Sequence, residues 1–71
     1  MSTLKLFSGK ELIKLLNKHN FEVIRVKGSH HFMKHTDGRT TVIPVHKNET
    51  ISKGLLSKIL RDIELKIEDL K

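Results

Sequence analysis

Apolar residues recur with two different periods along this chain, and the changes of period divide it into five segments. Near the start, leucine and isoleucine repeat at helical spacing after Ser8. Ser8 and Glu11 form a capping-box pattern, in which each side chain bonds the other residue's backbone N–H. Asn20 suits the left-handed residue that ends a helix. The pattern therefore predicts a helix over about residues 9–19.

The middle of the chain is rich in β-branched residues in short runs, which is typical of strands. Asp37-Gly38 is a strong indication of a two-residue hairpin turn. Pro44 cannot donate a ladder hydrogen bond, so its strand should lie at an edge of the sheet. The three predicted strands span residues 21–26, 29–36 and 40–45.

A second helix is predicted after a polar loop at residues 46–50, with Ser52 as its N-cap. Its apolar residues lie on one stripe. They are Leu55, Leu56, Ile59, Leu60 and Ile63. Residues 65–71 are predicted to add a further helical turn.

The order of the elements is α-β-β-β-α, which predicts a single α+β domain over residues 1–71. Two helices can cover one face of a three-stranded antiparallel sheet and leave the other face open. This arrangement resembles the double-stranded RNA-binding domain, which follows the shape and backbone of duplex RNA.

The charge of the chain is strongly positive and unevenly distributed. Fourteen Lys and Arg against eight Asp and Glu give a net charge of +6. Residues 5–47 hold nine of the basic residues and three of the acidic ones, whereas residues 48–71 hold five of each. The basic part is therefore the expected surface for a polyanion such as RNA.

Composition also excludes several classes of protein. Without cysteine there are no disulfides or thiolate metal sites, as expected of a cytoplasmic protein. No apolar run approaches the roughly 20 residues of a membrane span, and the start is too short and polar for a signal peptide. Three phenylalanines are the only Phe, Tyr or Trp residues, which gives little support to a base-stacking platform.

The segment Gly28-Ser29-His30-His31 joins two predicted strands and carries the candidate chemistry. Glycine lets the backbone turn sharply or approach a ligand closely. Histidine can take or give a proton near neutral pH. Basic residues that could hold a phosphate surround this segment in sequence: Arg25, Lys27, Lys34 and Arg39. A proton-transferring group in a cationic field suits cleavage of a phosphodiester.

Strand alternation puts His30 and His31 on opposite faces of the sheet, and it leaves open which of them is exposed. Phe32 is the expected core residue of this strand. Since Phe32 shares a face with His30, strict alternation favours His31 as the exposed histidine, although Gly28 could distort the start of the strand.

The remaining histidines give weaker indications. His31 and His35 share a face but are about 13 Å apart along a strand, too far for one zinc ion. We expect no metal site and no cofactor. His19 ends a helix, where a cation suits the dipole. His46 follows the Pro44 strand and could flank the basic surface.

Six segments of the chain carry a resemblance to a known family. They are Glu11-Leu12-Ile13-Lys14-Leu15-Leu16, Phe21-Glu22-Val23, Val26-Lys27-Gly28-Ser29-His30-His31, His35-Thr36-Asp37-Gly38-Arg39, Val42-Ile43-Pro44-Val45-His46 and Leu55-Leu56-Ser57-Lys58-Ile59-Leu60-Arg61. Over about residues 8–70 the chain resembles the HicA family of bacterial toxins. The second of the two adjacent histidines, His31 here, is common but not universal in that family. Members often have glycine where the second helix ends, and here Glu64 lies near that point.

The resemblance implies a metal-independent mRNA endonuclease with a fold like the double-stranded RNA-binding domain, neutralised in a hetero-oligomer by a HicB-type antitoxin. It implies His30 as the catalytic residue, with His31 as the alternative. Candidate RNA-binding residues are Lys27, Ser29, Lys34, Arg39 and His46. Two other functions remain open: a non-catalytic duplex-RNA-binding module, and a protein-interaction domain whose basic face meets an acidic partner.

Overall fold

The computed structural model describes residues 7–47 and 49–70. The order of elements confirms the predicted α-β-β-β-α fold. In the described ranges, no helix is both long enough and apolar enough to cross a membrane. The elements are α1 (Gly9–Lys18), β1 (Phe21–Lys27), β2 (His30–His35), β3 (Thr40–Pro44), α2 (Lys53–Ile63) and a terminal 3-10 helix (Ile67–Leu70).

Helix α1 begins as its sequence predicts. The Ser8 hydroxyl accepts the Glu11 N–H at 3.1 Å, and the Glu11 carboxylate accepts the Ser8 N–H at 2.9 Å. Two of the four N–H groups that a helix leaves unpaired at its start are thereby involved in a reciprocal cap. At the other end, Asn20 takes the left-handed conformation with φ 71°, as predicted.

The three strands form an antiparallel meander in the order β1-β2-β3, so Pro44 does lie on an edge strand. Gly28 has φ 59° at the first position of the two-residue turn between β1 and β2, where a type II′ hairpin takes glycine. Residues 36–39 separate β2 from β3, and Gly38 has φ 102°. This turn therefore has four residues, whereas the sequence predicted two.

Strand β1 contains a bulge that the sequence pattern did not reveal. Val23 pairs with Met33 and Arg25 pairs with Phe32, so Ile24 is an extra residue without a partner of its own. An extra residue reverses the alternation of side chains beyond it. Because of the bulge, Arg25 and Lys27 face the side of the sheet opposite to that of Phe21.

One hydrophobic core lies between the two helices and one face of the sheet. The prediction that Phe32 fills this core is wrong: Met33 is fully buried, whereas Phe32 lies on the other face and outside the core cluster. Fully or almost fully buried core residues are Phe7, Leu12, Leu16, Phe21, Met33, Ile43, Ile51, Leu56, Ile59, Ile63 and Leu70.

Helix α2 is capped by the Ser52 hydroxyl, which accepts the Leu55 N–H at 3.3 Å, as predicted. It ends at Ile63, and its C-cap residue Glu64 adopts the left-handed conformation with φ 58°. Glycine takes this conformation without steric cost, but residues with a Cβ do not. The 3-10 helix that follows buries Leu70 against the core, so the predicted last helical turn is present.

Candidate functional site

The face of the sheet that the helices leave uncovered, called here the open face, carries three rows of side chains across the strands. Residues paired across neighbouring strands point to the same side of a sheet. Phe32 is the centre of this face, with His30 and Lys34 on either side of it along β2. The rows are Lys27, His30 and Pro44; Arg25, Phe32 and Val42; and Glu22, Lys34 and Thr40.

His30 is exposed at the turn end of the open face. Its partner on β1 is Lys27, which is also exposed, and side chains paired in this way have Cβ atoms about 5 Å apart. No hydrogen bond or ion pair engages either side chain within residues 7–47 and 49–70. A phosphate on this corner could therefore contact an imidazole and an ammonium group together.

His31 points to the helix side of the sheet and is half-buried. Its partners there are Val26 and Ile43. Its Nδ1 lies 3.2 Å from the Ser29 carbonyl oxygen, which is a hydrogen bond when Nδ1 carries the proton. The two adjacent histidines therefore occupy different environments, and the exposed one is His30.

The Ser29 backbone fixes the turn against β3. Its carbonyl oxygen accepts the Val45 N–H at 2.8 Å in addition to contacting His31. His46 follows Val45 directly and is exposed, so this hydrogen bond holds the start of the 46–50 loop beside the turn. The structure thus brings Lys27, Ser29, His30 and the His46 backbone to one end of the sheet.

Lys34 and Arg25 complete the positive charge of the open face. Both are exposed, and in the described part of the chain neither forms an ion pair. The Arg25 guanidinium lies over the Phe32 ring at 5.9 Å from its centroid. From the sequence, Arg25 was expected near the site but was not among the RNA-binding candidates, and Phe32 was expected in the core and not on this face.

Arg39 lies at the opposite end of β2, where its guanidinium is held by other parts of the fold. Its Nε donates to both carboxylate oxygens of Asp37, at 3.1 and 2.8 Å, and its Nη1 donates to the Ile63 carbonyl oxygen. The guanidinium also lies 5.3 Å from the Phe21 ring centroid. The structure does not bring Arg39 to the His30 corner; it ties the β2–β3 turn to the end of α2.

Asp37 is held in its charged form by the same contacts. The Arg39 backbone N–H donates to its carboxylate at 3.0 Å. That hydrogen bond, followed by the Arg39 side chain, lowers the pKa of Asp37 below its usual value of 3.8, because both interactions favour the carboxylate over the acid.

His35 is part of this closed end. Its ring meets the Phe21 ring edge-on, with centroids 4.9 Å apart. Its Nδ1 accepts the Asp37 N–H at 3.0 Å, which requires an unprotonated Nδ1. Nδ1 also lies 3.1 Å from the Asp37 carboxylate. This contact is an ion pair only when the imidazole ring is protonated.

No set of three His, Asp or Glu side chains within residues 7–47 and 49–70 is arranged to hold a metal ion. The chemistry that the open face offers is that of an exposed imidazole beside ammonium and guanidinium groups.

Comparison with known proteins identifies a family. The family model described as the HicA toxin of bacterial toxin–antitoxin systems matches residues 9–65, a span that includes the β1–β2 turn, the whole sheet and α2. No curated protein matches the chain.

Proposed function

The chain belongs to the HicA toxin family of bacterial toxin–antitoxin systems, and on that premise we propose that it is an endoribonuclease that cleaves mRNA without a metal ion. Toxins of this family are generally ribonucleases, and their toxin–antitoxin class implies an antitoxin partner. The proposal for this chain depends on one corner of the open face.

The observation that carries the proposal is the position of His30. It is exposed, it is paired across the strands with exposed Lys27, and it belongs to the Gly-Ser-His segment. His31, the alternative, is half-buried on the helix side with its Nδ1 against a carbonyl oxygen. We therefore assign the acid–base role to His30 and rank His31 second.

The proposed reaction is attack of an RNA 2′-OH on the adjacent phosphorus. A base takes the 2′-OH proton as the new O–P bond forms, and an acid protonates the 5′ oxygen as its bond to phosphorus breaks. The products are a 2′,3′-cyclic phosphate and a free 5′-OH. One well-placed imidazole accelerates such a reaction by about 10²–10⁴-fold.

Positive side chains on the same face would stabilise the phosphorane, which carries more charge than the starting phosphodiester. Lys27 is the first candidate because it is paired with His30. Lys34 and His46 would hold neighbouring phosphates, and Ser29 would contribute its hydroxyl at the turn. Arg39 is left out of this surface, since its Nε and Nη1 donate to Asp37 and to the Ile63 carbonyl oxygen at the far end of β2.

We further propose that the antitoxin is of the HicB type, that it forms a hetero-oligomer with this chain, and that the complex acts in the cytoplasm, where mRNA is available. The net charge of +6 favours an acidic antitoxin surface. Such a surface would compete with RNA for the exposed cations of the open face.

The test is cleavage of a long unlabelled mRNA by the purified chain in excess EDTA, beside His30→Ala and His31→Ala. We expect the wild type and His31→Ala to cleave, His30→Ala to cleave about 10²–10⁴-fold more slowly, and the products to end in 2′,3′-cyclic phosphate. Binding of RNA without any cleavage would instead identify a non-catalytic RNA-binding module. Activity that EDTA removes would contradict the metal-independent mechanism.

A further inference from the structure

We propose that Phe32 is a stacking platform for an unpaired RNA base, and that it holds the cleaved nucleotide beside His30. This inference rests on the proposed function, since it names the feature of the substrate that the same face would recognise. It assigns a substrate-binding role to a residue that lies outside the hydrophobic core.

Core packing does not explain Phe32. It is absent from the hydrophobic core cluster and from the half-buried side chains that pack against that cluster. Its neighbour Met33 supplies the buried side chain of β2 instead. Phe32 is half-buried on the open face, so it forgoes part of the stabilisation that full burial would give. It lies at the centre of the face that carries His30.

The neighbours of Phe32 suit a nucleotide. Arg25 lies over the ring at 5.9 Å from its centroid and has no carboxylate partner among the residues that the structure describes. A guanidinium plane stacks on bases and attracts phosphates. Val42, the partner of Phe32 on β3, provides an apolar side wall. A base could therefore lie on the ring while Arg25 turns toward the backbone of the same strand.

The spacing links this platform to the proposed chemistry. His30 and Phe32 are two residues apart on one face of β2, which separates their Cα atoms by about 7 Å. The sugar and phosphate of a nucleotide whose base lies on Phe32 would thus fall within reach of the imidazole. Stacking of this kind tolerates any base, because every base has a π-face.

Such a platform requires an unpaired base. In a duplex the faces of each base are covered by its neighbours, and a protein reads the duplex by shape, phosphates and 2′-hydroxyls. We therefore expect the open face to bind single-stranded RNA more tightly than duplex RNA.

The chain itself provides a clean fluorescence experiment, because it contains neither tryptophan nor tyrosine. In a His30→Ala background, which slows cleavage, Phe32→Trp would introduce a single indole at the platform. A matched control, Leu60→Trp, would place the indole on α2, where the native residue packs against the core. Both proteins would be titrated with an unstructured oligoribonucleotide and with a fully paired RNA duplex of the same length.

We expect the single strand to quench the indole of Phe32→Trp saturably, the duplex to quench it weakly, and neither RNA to quench Leu60→Trp. Phe32→Leu in the same background should bind the single strand about 5–150-fold more weakly. Val26→Ala, which removes an exposed apolar side chain on the helix side of the sheet, should weaken binding less than threefold, which corresponds to about 0.6 kcal/mol. Thermal unfolding of each variant would show that it is folded.

Equal affinity of Phe32→Leu and its Phe32 parent for the single strand would overturn the stacking proposal and leave the proposed ribonuclease intact. Equal quenching by the duplex would also overturn it. Failure of every version to bind RNA, including the His30→Ala parent, would remove the proposed function and this inference together.

Discussion

His30 and His35 lie at the two ends of the same strand, each near a basic residue and a hairpin turn, yet their surroundings are opposite. His30 is exposed and paired across the sheet with Lys27, whose ammonium forms no ion pair among the described residues. His35 packs edge-on against Phe21 and accepts an N–H from Asp37. Residue type alone would make both ends candidate sites.

The two ends differ in whether their positively charged side chains contact other parts of the protein or solvent. At the closed end, Arg39 donates to Asp37 and to the Ile63 carbonyl oxygen, so its guanidinium stabilises the fold. On the open face, in contrast, the charges of Arg25, Lys27 and Lys34 face solvent. We therefore expect substitutions at the two ends to affect different quantities: cleavage at the open end and the free energy of unfolding at the closed end.

The largest expected effect is on catalysis at His30. His30→Ala should lower the cleavage rate by about 10²–10⁴-fold, equivalent to about 3–5 kcal/mol in the activation barrier. The free energy of unfolding should change by less than about 0.5 kcal/mol, as is usual for exposed positions.

His35→Ala is the matched comparison for that prediction. It should retain cleavage and lose about 1–2 kcal/mol of stability, since an edge-on aromatic pair contributes about 0.5–1.5 kcal/mol beyond the area it buries. Single-turnover cleavage and urea unfolding of both variants would measure the two quantities. Loss of stability in His30→Ala, or loss of cleavage in a folded His35→Ala, would remove the contrast between the ends.

Arg39→Ala should lower the free energy of unfolding by about 1–3 kcal/mol, because it removes charge-assisted hydrogen bonds and leaves the Ile63 carbonyl oxygen without that donor. For a domain of this size each 1 kcal/mol lowers the Tm by about 4–8 °C. Arg39→Lys retains the charge but not the planar set of donors, and it should recover only part of the loss. A fall in RNA affinity without a fall in Tm would instead place Arg39 in the RNA-binding surface.

Glu64→Gly should stabilise the protein by about 0.5–1 kcal/mol, since Glu64 holds a left-handed conformation at the end of α2 that favours glycine. Glu64→Ala removes the carboxylate but keeps the Cβ, so it should leave the stability within about 0.5 kcal/mol of wild type. Thermal unfolding distinguishes the two. Equal Tm values for the Gly and Ala variants would show that backbone strain at this position is negligible.

Lys27→Ala should weaken RNA binding at low salt and reduce the slope of log affinity against log salt concentration by about 0.7–0.9, as expected for one lost phosphate contact. Lys66→Ala, at an exposed position beyond α2, should leave the slope unchanged. Titrations in a His30→Ala background at several salt concentrations would measure both slopes. Identical slopes for the two variants would contradict a phosphate contact at Lys27.

The smallest expected effect concerns pH and Asp37. Its folded-state pKa is lowered, so the stabilisation it gives is complete above its usual value of 3.8 and is lost as the pH falls through the lowered folded value. The difference in Tm between wild type and Asp37→Asn should therefore be constant near neutral pH and shrink in strong acid. A difference that grows on acidification would have the wrong sign for this assignment.

The order of elements and their ends could be predicted because local chemistry specifies them. Ser8, Asn20, Ser52 and Pro44 each occupy the role that their type indicated. The open face could not be predicted in full because it depends on a single extra residue in β1. Ile24 reverses the alternation, and without it Arg25 and Lys27 would point toward the helices.

The position of Phe32 could not be predicted either, since phenylalanine and methionine are both common core residues and alternation gives only their relative sides. Burying Met33 puts His30 and Phe32 together on the open face, which resolves which of the two adjacent histidines is exposed. The engagement of Arg39 depends on a carbonyl oxygen 24 residues away in the chain, which no local pattern indicates.

The catalytic role of His30 would be tested by induced expression of the wild type beside His30→Ala and His31→Ala, with growth and mRNA integrity followed together. We expect the wild type and His31→Ala to arrest growth and fragment mRNA, and His30→Ala to accumulate as a folded protein and do neither. Growth arrest with mRNA cleavage by His30→Ala would contradict that role.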